Sequence, residues 1–167
     1  MHNELTEKDI ALMKQELDHR RIHLRPQLLE AVKEARAFGD LSENFEYKAA
    51  KQEKNRNESR IRHLKNMIKT AIIIEDNSKD DEIGLSDTVT LYIEEDDVEE
   101  TYTIVTNIRV SVEGNYISYE SPVAKAILGR HEGDRVLVKV SEDYSYYCVI
   151  RKIEKGTEDD SRPIRGY

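Results

Sequence analysis

The chain has no tryptophan, one cysteine, three prolines and two phenylalanines among its 167 residues. The lone Cys148 excludes an internal disulfide and any cysteine-rich zinc site. No apolar run exceeds five residues, far short of the ~20 residues that a membrane-spanning helix needs. The first residues hold no apolar stretch of the secretory-signal type. A soluble, cytoplasmic protein with no membrane partner is therefore expected. Leu, Ile, Val and Phe fill 41 of the 167 positions, above the roughly 20% below which a chain stays disordered. Charged side chains make up 36%, against about 25% in an ordinary globular chain. The chain can fold, but its apolar residues must be concentrated on narrow seams.

The net charge of −8 is uneven. Residues 1–77 carry 15 basic and 14 acidic side chains, net +1, whereas residues 78–167 carry 11 and 20, net −9. Eight basic side chains (Lys48, Lys51, Lys54, Arg56, Arg60, Arg62, Lys65 and Lys69) lie between positions 48 and 69, opposed only by Glu53 and Glu58. Two readings are open: a stripe that faces phosphate, or the solvated face of a long helix.

Residues 6–75 hold one proline and one glycine and read as helix. Thr6 and Asp9 have the spacing of an N-terminal capping pair. Ile10, Met13, Leu17, Leu24, Leu28, Val32 and Ala35 recur at helical spacing, and a second seam runs Tyr47, Ala50, Lys54, Asn57, Ile61, Leu64, Ile68, Ala71. Gly39 lies between the two arms, where a helix ends in a left-handed residue. Pairing residues whose numbers sum to about 84 sets Ile68 near Leu17, Ile61 near Leu24, Asn57 near Gln27 and Lys54 near Glu30. This predicts an antiparallel coiled-coil hairpin with arms of about 30 residues, or about 45 Å. Pro26 should kink the first arm; the rival reading divides that arm into two helices there.

After the polar residues 77–81 the period changes to two. Val89-Leu91-Ile93, Tyr102-Ile104, Val136-Val138-Val140 and Tyr146-Cys148-Ile150 read as strands. Residues 121–129 read as one short helix, with Ser121 as N-cap, Pro122 in the first position and Gly129 as the stop. The expected fold class is α+β, with a helical hairpin over 1–77, a small sheet domain with one short helix over 82–155, and a flexible tail over 156–167.

The turn between the arms reads Phe38-Gly39-Asp40-Leu41-Ser42-Glu43-Asn44-Phe45-Glu46-Tyr47. In one account Asp40 caps the second helix and Glu43 completes a capping box. The other starts from the aromatics: Phe38, Phe45 and Tyr47 are the only three in the first half, all at the far end of an arm. They either staple the turn or wedge it into a partner. Asp40 and Glu43 also offer oxygen ligands suited to Mg²⁺, though two carboxylates need a partner to complete the shell.

Residues 34–51, EARAFGDLSENFEYKAAK, closely resemble the signature of the bacterial Gre transcript-cleavage factors (GreA/GreB), and residues 121–129, SPVAKAILG, resemble that family's C-terminal motif. Ile117-Ser118 and the position of Pro26 fit as well, and the match spans about residues 5–155. Residues 106–113, TNIRVSVE, depart from it, because the family usually shows an acidic stretch close to a glycine there. The resemblance implies an FKBP-like C-terminal domain that docks at the rim of the secondary channel of RNA polymerase through Ser121, Pro122, Ala124 and Gly129. It implies a hairpin that reaches the catalytic centre and stimulates cleavage of backtracked RNA near the nascent 3′ end. Asp40 and Glu43 would then position a Mg²⁺ ion and water jointly with the polymerase, the chain having no cofactor of its own. The surrounding tip would be Phe38, Gly39, Leu41, Ser42, Asn44, Phe45 and Tyr47, and Arg36, Lys48 and Lys51 would guide RNA. The factor would act as a monomer and would not be an enzyme by itself. A channel binder that modulates polymerase without cleavage is the alternative, and the retained Asp40 and Glu43 favour cleavage. A generic coiled-coil adaptor is a third reading. A prolyl isomerase needs an aromatic-lined pocket, and no Trp or Phe follows position 90.

Overall fold

The computed structural model describes residues 3–39, 43–157 and 164. The chain divides into two compact units, one running to Ile73 and the other beginning at Ile74. Most of the expected tail, residues 158–163 and 165–167, lies outside the described residues. Among the described residues, no helix is long and apolar enough to cross a membrane.

The first unit is a helical hairpin. A three-residue strand β1 (Asn3–Leu5) leads into α1 (Glu7–His19). Thr6 caps α1 through a reciprocal pair: its hydroxyl accepts from the Asp9 N–H, and the Asp9 carboxylate accepts from the Thr6 N–H, both at 3.1 Å. A π-helical turn, Arg20–Leu24, follows, then α2 (Arg25–Arg36) with Pro26 in its first turn. The backbone stays right-handed helical through His19, Arg20, Leu24 and Arg25, so the arm is not divided. Instead the Arg25 N–H reaches back five residues to the Arg20 carbonyl. The wider turn accommodates a proline ring that would otherwise press on the carbonyl four residues earlier. The return arm is one helix, α3 (Phe45–Thr70), followed by β2 (Ala71–Ile73). Here the helix reading stops short, because residues 71–73 pair in parallel with β1, Asn3 opposite Ala71 and Leu5 opposite Ile73.

Among the described residues of this unit, only Leu5, Met13, Ala35, Ile61 and Leu64 are buried and apolar. Full burial of a side chain the size of Met, Ile or Leu contributes about 1.5–3 kcal/mol, so a few such residues do not fix a register unaided. Polar contacts fix it. Arg60, which the charge pattern placed in a possible phosphate-facing stripe, points inward and is buried. It grips Glu16 with two bonds, Nε–Oε1 at 2.8 Å and Nη2–Oε2 at 3.0 Å. Arg20 Nε donates to the same Glu16 Oε1 at 2.8 Å, and Arg20 Nη1 donates to Asn57 Oδ1 at 3.0 Å. Asn57 Nδ2 donates to the Arg20 carbonyl at 3.2 Å. Asn57 therefore meets Arg20 rather than Gln27, which is exposed. Towards the tip Arg25 holds Glu58 with two bonds of 2.7 and 2.9 Å. Residue sums near 84 describe this outer pair, whereas the pairs nearer the base sum lower.

The hairpin closes through Asn44. Its Oδ1 accepts from the Tyr47 N–H at 3.0 Å, which caps α3, and its Nδ2 donates to the Ala35 carbonyl at the end of α2 at 2.8 Å. Gly39 has a φ of +128°, a conformation that disfavours a side chain.

The second unit is a five-stranded mixed sheet of order β5-β4-β3-β7-β6. Its strands are β3 (Thr88–Ile93), β4 (Val98–Val105), β5 (Tyr116–Ser118), β6 (Arg135–Lys139) and β7 (Ser145–Glu154). Only the β4–β5 pair is parallel. Alternation buries Val89 and Leu91 from β3, Val136 and Val138 from β6, and Cys148 and Ile150 from β7. Helix α4 (Pro122–Ile127) adds Ala124 and Ile127 to the same core. Val140 lies beyond β6 and is exposed. Burial pushes the Cys148 thiol up to about 11, helped by the negative charge of Glu94. Asp87 is fully buried yet satisfied: it accepts from the Gly84 N–H at 2.7 Å, Lys155 Nζ at 2.6 Å and the Gly156 N–H at 3.0 Å. A Cβ on Gly156 would lie 2.0 Å from the Ser86 carbonyl oxygen. Gly156, expected to begin a flexible tail, is thus held at a close backbone crossing.

Two outcomes follow for the hairpin. Burial raises the Glu16 carboxyl pKa, but the hydrogen bonds and charges of Arg60 and Arg20 outweigh it and hold Glu16 below its ordinary 4.5. Because the folded value is the lower one, this stabilisation is complete above about pH 4.5 and is lost as pH falls through the folded value. Thermal midpoints by circular dichroism should drop in that window for the parent and less steeply for Glu16→Gln. Glu16→Ala, which leaves Arg60 buried without this partner, should cost about 3 kcal/mol at neutral pH, the low end for such pairs because Glu16 stays 23% exposed. Asn44→Ala should cost about 1–2 kcal/mol in urea unfolding, and Asn44→Ser, which keeps a cap acceptor, should recover about half.

Candidate functional site at the hairpin tip

The tip is built where α2 ends and α3 begins. Because α3 is capped by Asn44, the helix starts at Phe45 and not at Asp40. This corrects the capping-box account of Asp40 and Glu43. Glu43 precedes the cap and is exposed. Asp40, Leu41 and Ser42 lie outside the described residues.

The two phenylalanines do not staple the turn. Phe38 and Phe45 are 77% and 81% exposed, which is costly apolar surface unless a partner covers it. Tyr47 is half-buried among cations. Arg36 Cζ lies 5.4 Å from the Tyr47 ring centre and Lys51 Nζ lies 6.0 Å from it, while Lys48 Nζ lies 5.7 Å from the Phe45 ring. The hydrogen bond from Arg36 Nη2, at 3.5 Å, and the charges of Lys51, Arg36 and Lys54 lower the Tyr47 phenol against an opposing effect of desolvation. The three residues expected to guide RNA, Arg36, Lys48 and Lys51, are thus gathered against two aromatic rings just behind the tip.

Along α3 the positive face is narrower than the charge count suggests. Lys48, Lys51 and Arg56 line a shallow groove with Gln52, Asn55 and Ser59. Arg60 is turned inward, and Arg56 pairs with Glu53 at 3.1 Å. Glu58 does not oppose this face, because Arg25 on the other arm takes both of its oxygens. Asn44, placed at the tip by its motif, is the residue that joins the arms. The capping-box spacing of Asp40 and Glu43 just before it hid that role.

In the sheet domain the residues of the 121–129 motif separate by role. Ser121 caps α4, its hydroxyl accepting from the Ala124 N–H at 3.2 Å. Ala124 is fully buried in the core and offers no surface, which corrects its assignment as a docking contact. Pro122 and Gly129 are exposed. Gly129 takes a φ of +75° and ties its N–H to the Ile83 carbonyl at 2.8 Å. In the departing segment 106–113, Thr106 and Arg109 are buried while Val112 is 95% exposed.

Comparison with known proteins agrees with both halves. The family described as "Transcription elongation factor, N-terminal" matches residues 3–73, and "Transcription elongation factor, GreA/GreB, C-term" matches residues 77–155. The chain is 43% identical over 136 residues to the transcription elongation factor GreA of Geobacillus kaustophilus, covering 81% of this chain and 86% of that one. It is 40% identical over 150 residues to GreA of Staphylococcus carnosus, covering 90% and 94%. Among solved structures, the GreA factor homolog 1 (Gfh1) protein of Thermus thermophilus aligns over 93% of this chain and all of its own, at 25% identity and a TM-score of 0.43. With both of its domains matched in order, this chain belongs to the GreA/GreB family of transcription elongation factors.

Proposed function

We propose that this chain binds bacterial RNA polymerase through its secondary channel and stimulates the polymerase's own cleavage of backtracked nascent RNA. The observation that carries the reading is the tip itself. Glu43 stands exposed ahead of a helix cap supplied by Asn44, between two phenylalanines that are both exposed. The chain acts as a monomeric, cytoplasmic cofactor and is not an enzyme alone. Its membership of an elongation-factor family supports this assignment.

Each group has a role that its chemistry suits. Phe38 and Phe45 present apolar surface for burial against the partner, which orients the tip. Arg36, Lys48 and Lys51 offer cations to the phosphates of the RNA near its 3′ end. Pro122 and Gly129, the exposed members of the α4 motif, belong to the docking surface. The carboxylates of Asp40 and Glu43 are hard oxygen donors of the kind Mg²⁺ prefers. They would complete the shell of an ion shared with the polymerase, and one of them would orient the attacking water. When bound, that ion stabilises charge on the leaving oxygen and acidifies water.

The test uses a stalled, backtracked polymerase complex. Asp40→Asn and Glu43→Gln should each abolish most stimulated cleavage while leaving binding to polymerase nearly unchanged. Unaltered cleavage with both variants would favour a channel binder whose tip carboxylates have no chemical role. Phe38→Ser and Phe45→Ser should weaken cleavage at limiting factor concentration, with no loss in thermal midpoint, since neither ring is buried in the free chain.

A further inference from the structure

Two loops of the sheet domain bring together three side chains that no part of the polymerase reading uses. Asp81 and Glu82 come from the loop before β3, and His131 comes from the turn between α4 and β6. One ligand atom from each lies within 4.8 Å of the others. His131 Nε2 is 3.5 Å from Asp81 Oδ2 and 4.0 Å from Glu82 Oε1. An ion bound tetrahedrally at about 2.0–2.2 Å sets its ligand atoms roughly 3.3–3.6 Å apart. Small side-chain rotations therefore suffice to close the set. Two carboxylates alone would be an ordinary acidic surface. The imidazole nitrogen changes the chemistry, because nitrogen donors favour zinc-like ions over Mg²⁺ and Ca²⁺.

The backbone around these groups is held in place. The Ile83 N–H donates to the Arg130 carbonyl at 3.0 Å, and the Gly129 N–H donates to the Ile83 carbonyl at 2.8 Å. This rung adjoins Glu82 on one side and His131 on the other, and Ile83 itself is anchored in the core. Lys155 Nζ donates to the Glu82 carbonyl at 2.8 Å, and the Glu82 N–H donates to the Lys79 carbonyl at 3.0 Å. Glu82 Oε2 accepts from the Lys79 N–H at 3.3 Å, which leaves Oε1 as the atom directed at His131. Across the site, the His131 N–H donates to Asp134 Oδ2 at 2.9 Å, and the same oxygen lies 3.8 Å from His131 Nδ1. The backbone bond holds the His131 main chain, and at 3.8 Å the Asp134 carboxylate adds negative charge beside the ring without a hydrogen bond to it. The surrounding sequence, net −9 over residues 78–167, also favours a cation.

We propose that Asp81, Glu82 and His131 form a binding site for one divalent transition-metal ion of the zinc class, with water in the remaining position. Binding clamps the loop before β3 to the turn before β6. The site needs no polymerase and is separate from the tip chemistry.

The experiment is a Zn²⁺ titration of the full chain, followed by calorimetry and by imidazole ¹⁵N resonances. His19 and His23, whose rings are 5.7 Å apart on the first arm, are the competing pair to be separated. One equivalent of Zn²⁺ should bind, move the His131 Nε2 resonance and raise the thermal midpoint of the chain. His131→Gln and Asp81→Asn should each weaken binding about tenfold or more. The double variant His19→Gln/His23→Gln should bind as the parent does. The proposal is overturned if Zn²⁺ moves only the His19 and His23 resonances. It is equally overturned if His131→Gln binds as tightly as the parent, or if Mg²⁺ competes at equal concentration.

Discussion

The hairpin depends on one partly buried ion pair, Arg60 on Glu16. Its two bonds join residues 44 apart in sequence, and Arg20 and Asn57 extend the contact into a closed polar set. A seam with so few buried apolar side chains can slide by a turn at little expense in buried area. A two-bond guanidinium–carboxylate contact cannot slide, because a displaced register would leave charge buried without a partner. The same contact sits where the first arm switches to its π-helical turn. The arm thus stays helical through the residues around Pro26.

At that far end the division of labour is between Asn44 and the acidic residues before it. An aspartate or glutamate can accept from a helix N–H but has no proton to give. The Asn44 amide does both, capping α3 and binding the Ala35 carbonyl of α2. Closing the hairpin with an amide removes the structural demand on Glu43, whose charge is then available for a partner. The cations behind the tip are similarly organised, because Arg25 withdraws Glu58 from the face that Lys48, Lys51 and Arg56 share.

Much of this architecture is legible in the residues because its signals are local. Helical spacing marks both arms, alternation marks β3, β6 and β7, and Thr6-Asp9 and Ser121-Pro122 mark helix starts that the fold realises. The illegible parts are those decided at long range. The paired strands at Asn3–Leu5 and Ala71–Ile73 are three residues each, too short to show a period, and their partners are distant. An inward arginine looks like a surface one until its carboxylate is known. Asp40-x-x-Glu43 reads as a helix start, whereas the cap that forms is Asn44, whose amide also binds the Ala35 carbonyl across the hairpin, a contact distant in sequence. For Ala124, a motif that resembles a docking signature contains residues retained for packing, and burial is what separates the two.

In the proposed function the tip's negative charge serves a shared metal ion and not the fold. The dependence of single-turnover RNA cleavage on Mg²⁺ concentration, compared for the parent chain and Glu43→Gln in the same backtracked complex, tests this most directly. With a shared ion, the variant's curve shifts to higher Mg²⁺ and excess ion partly restores cleavage. Superimposable curves, with the deficit constant or absent at every Mg²⁺ concentration, would contradict it.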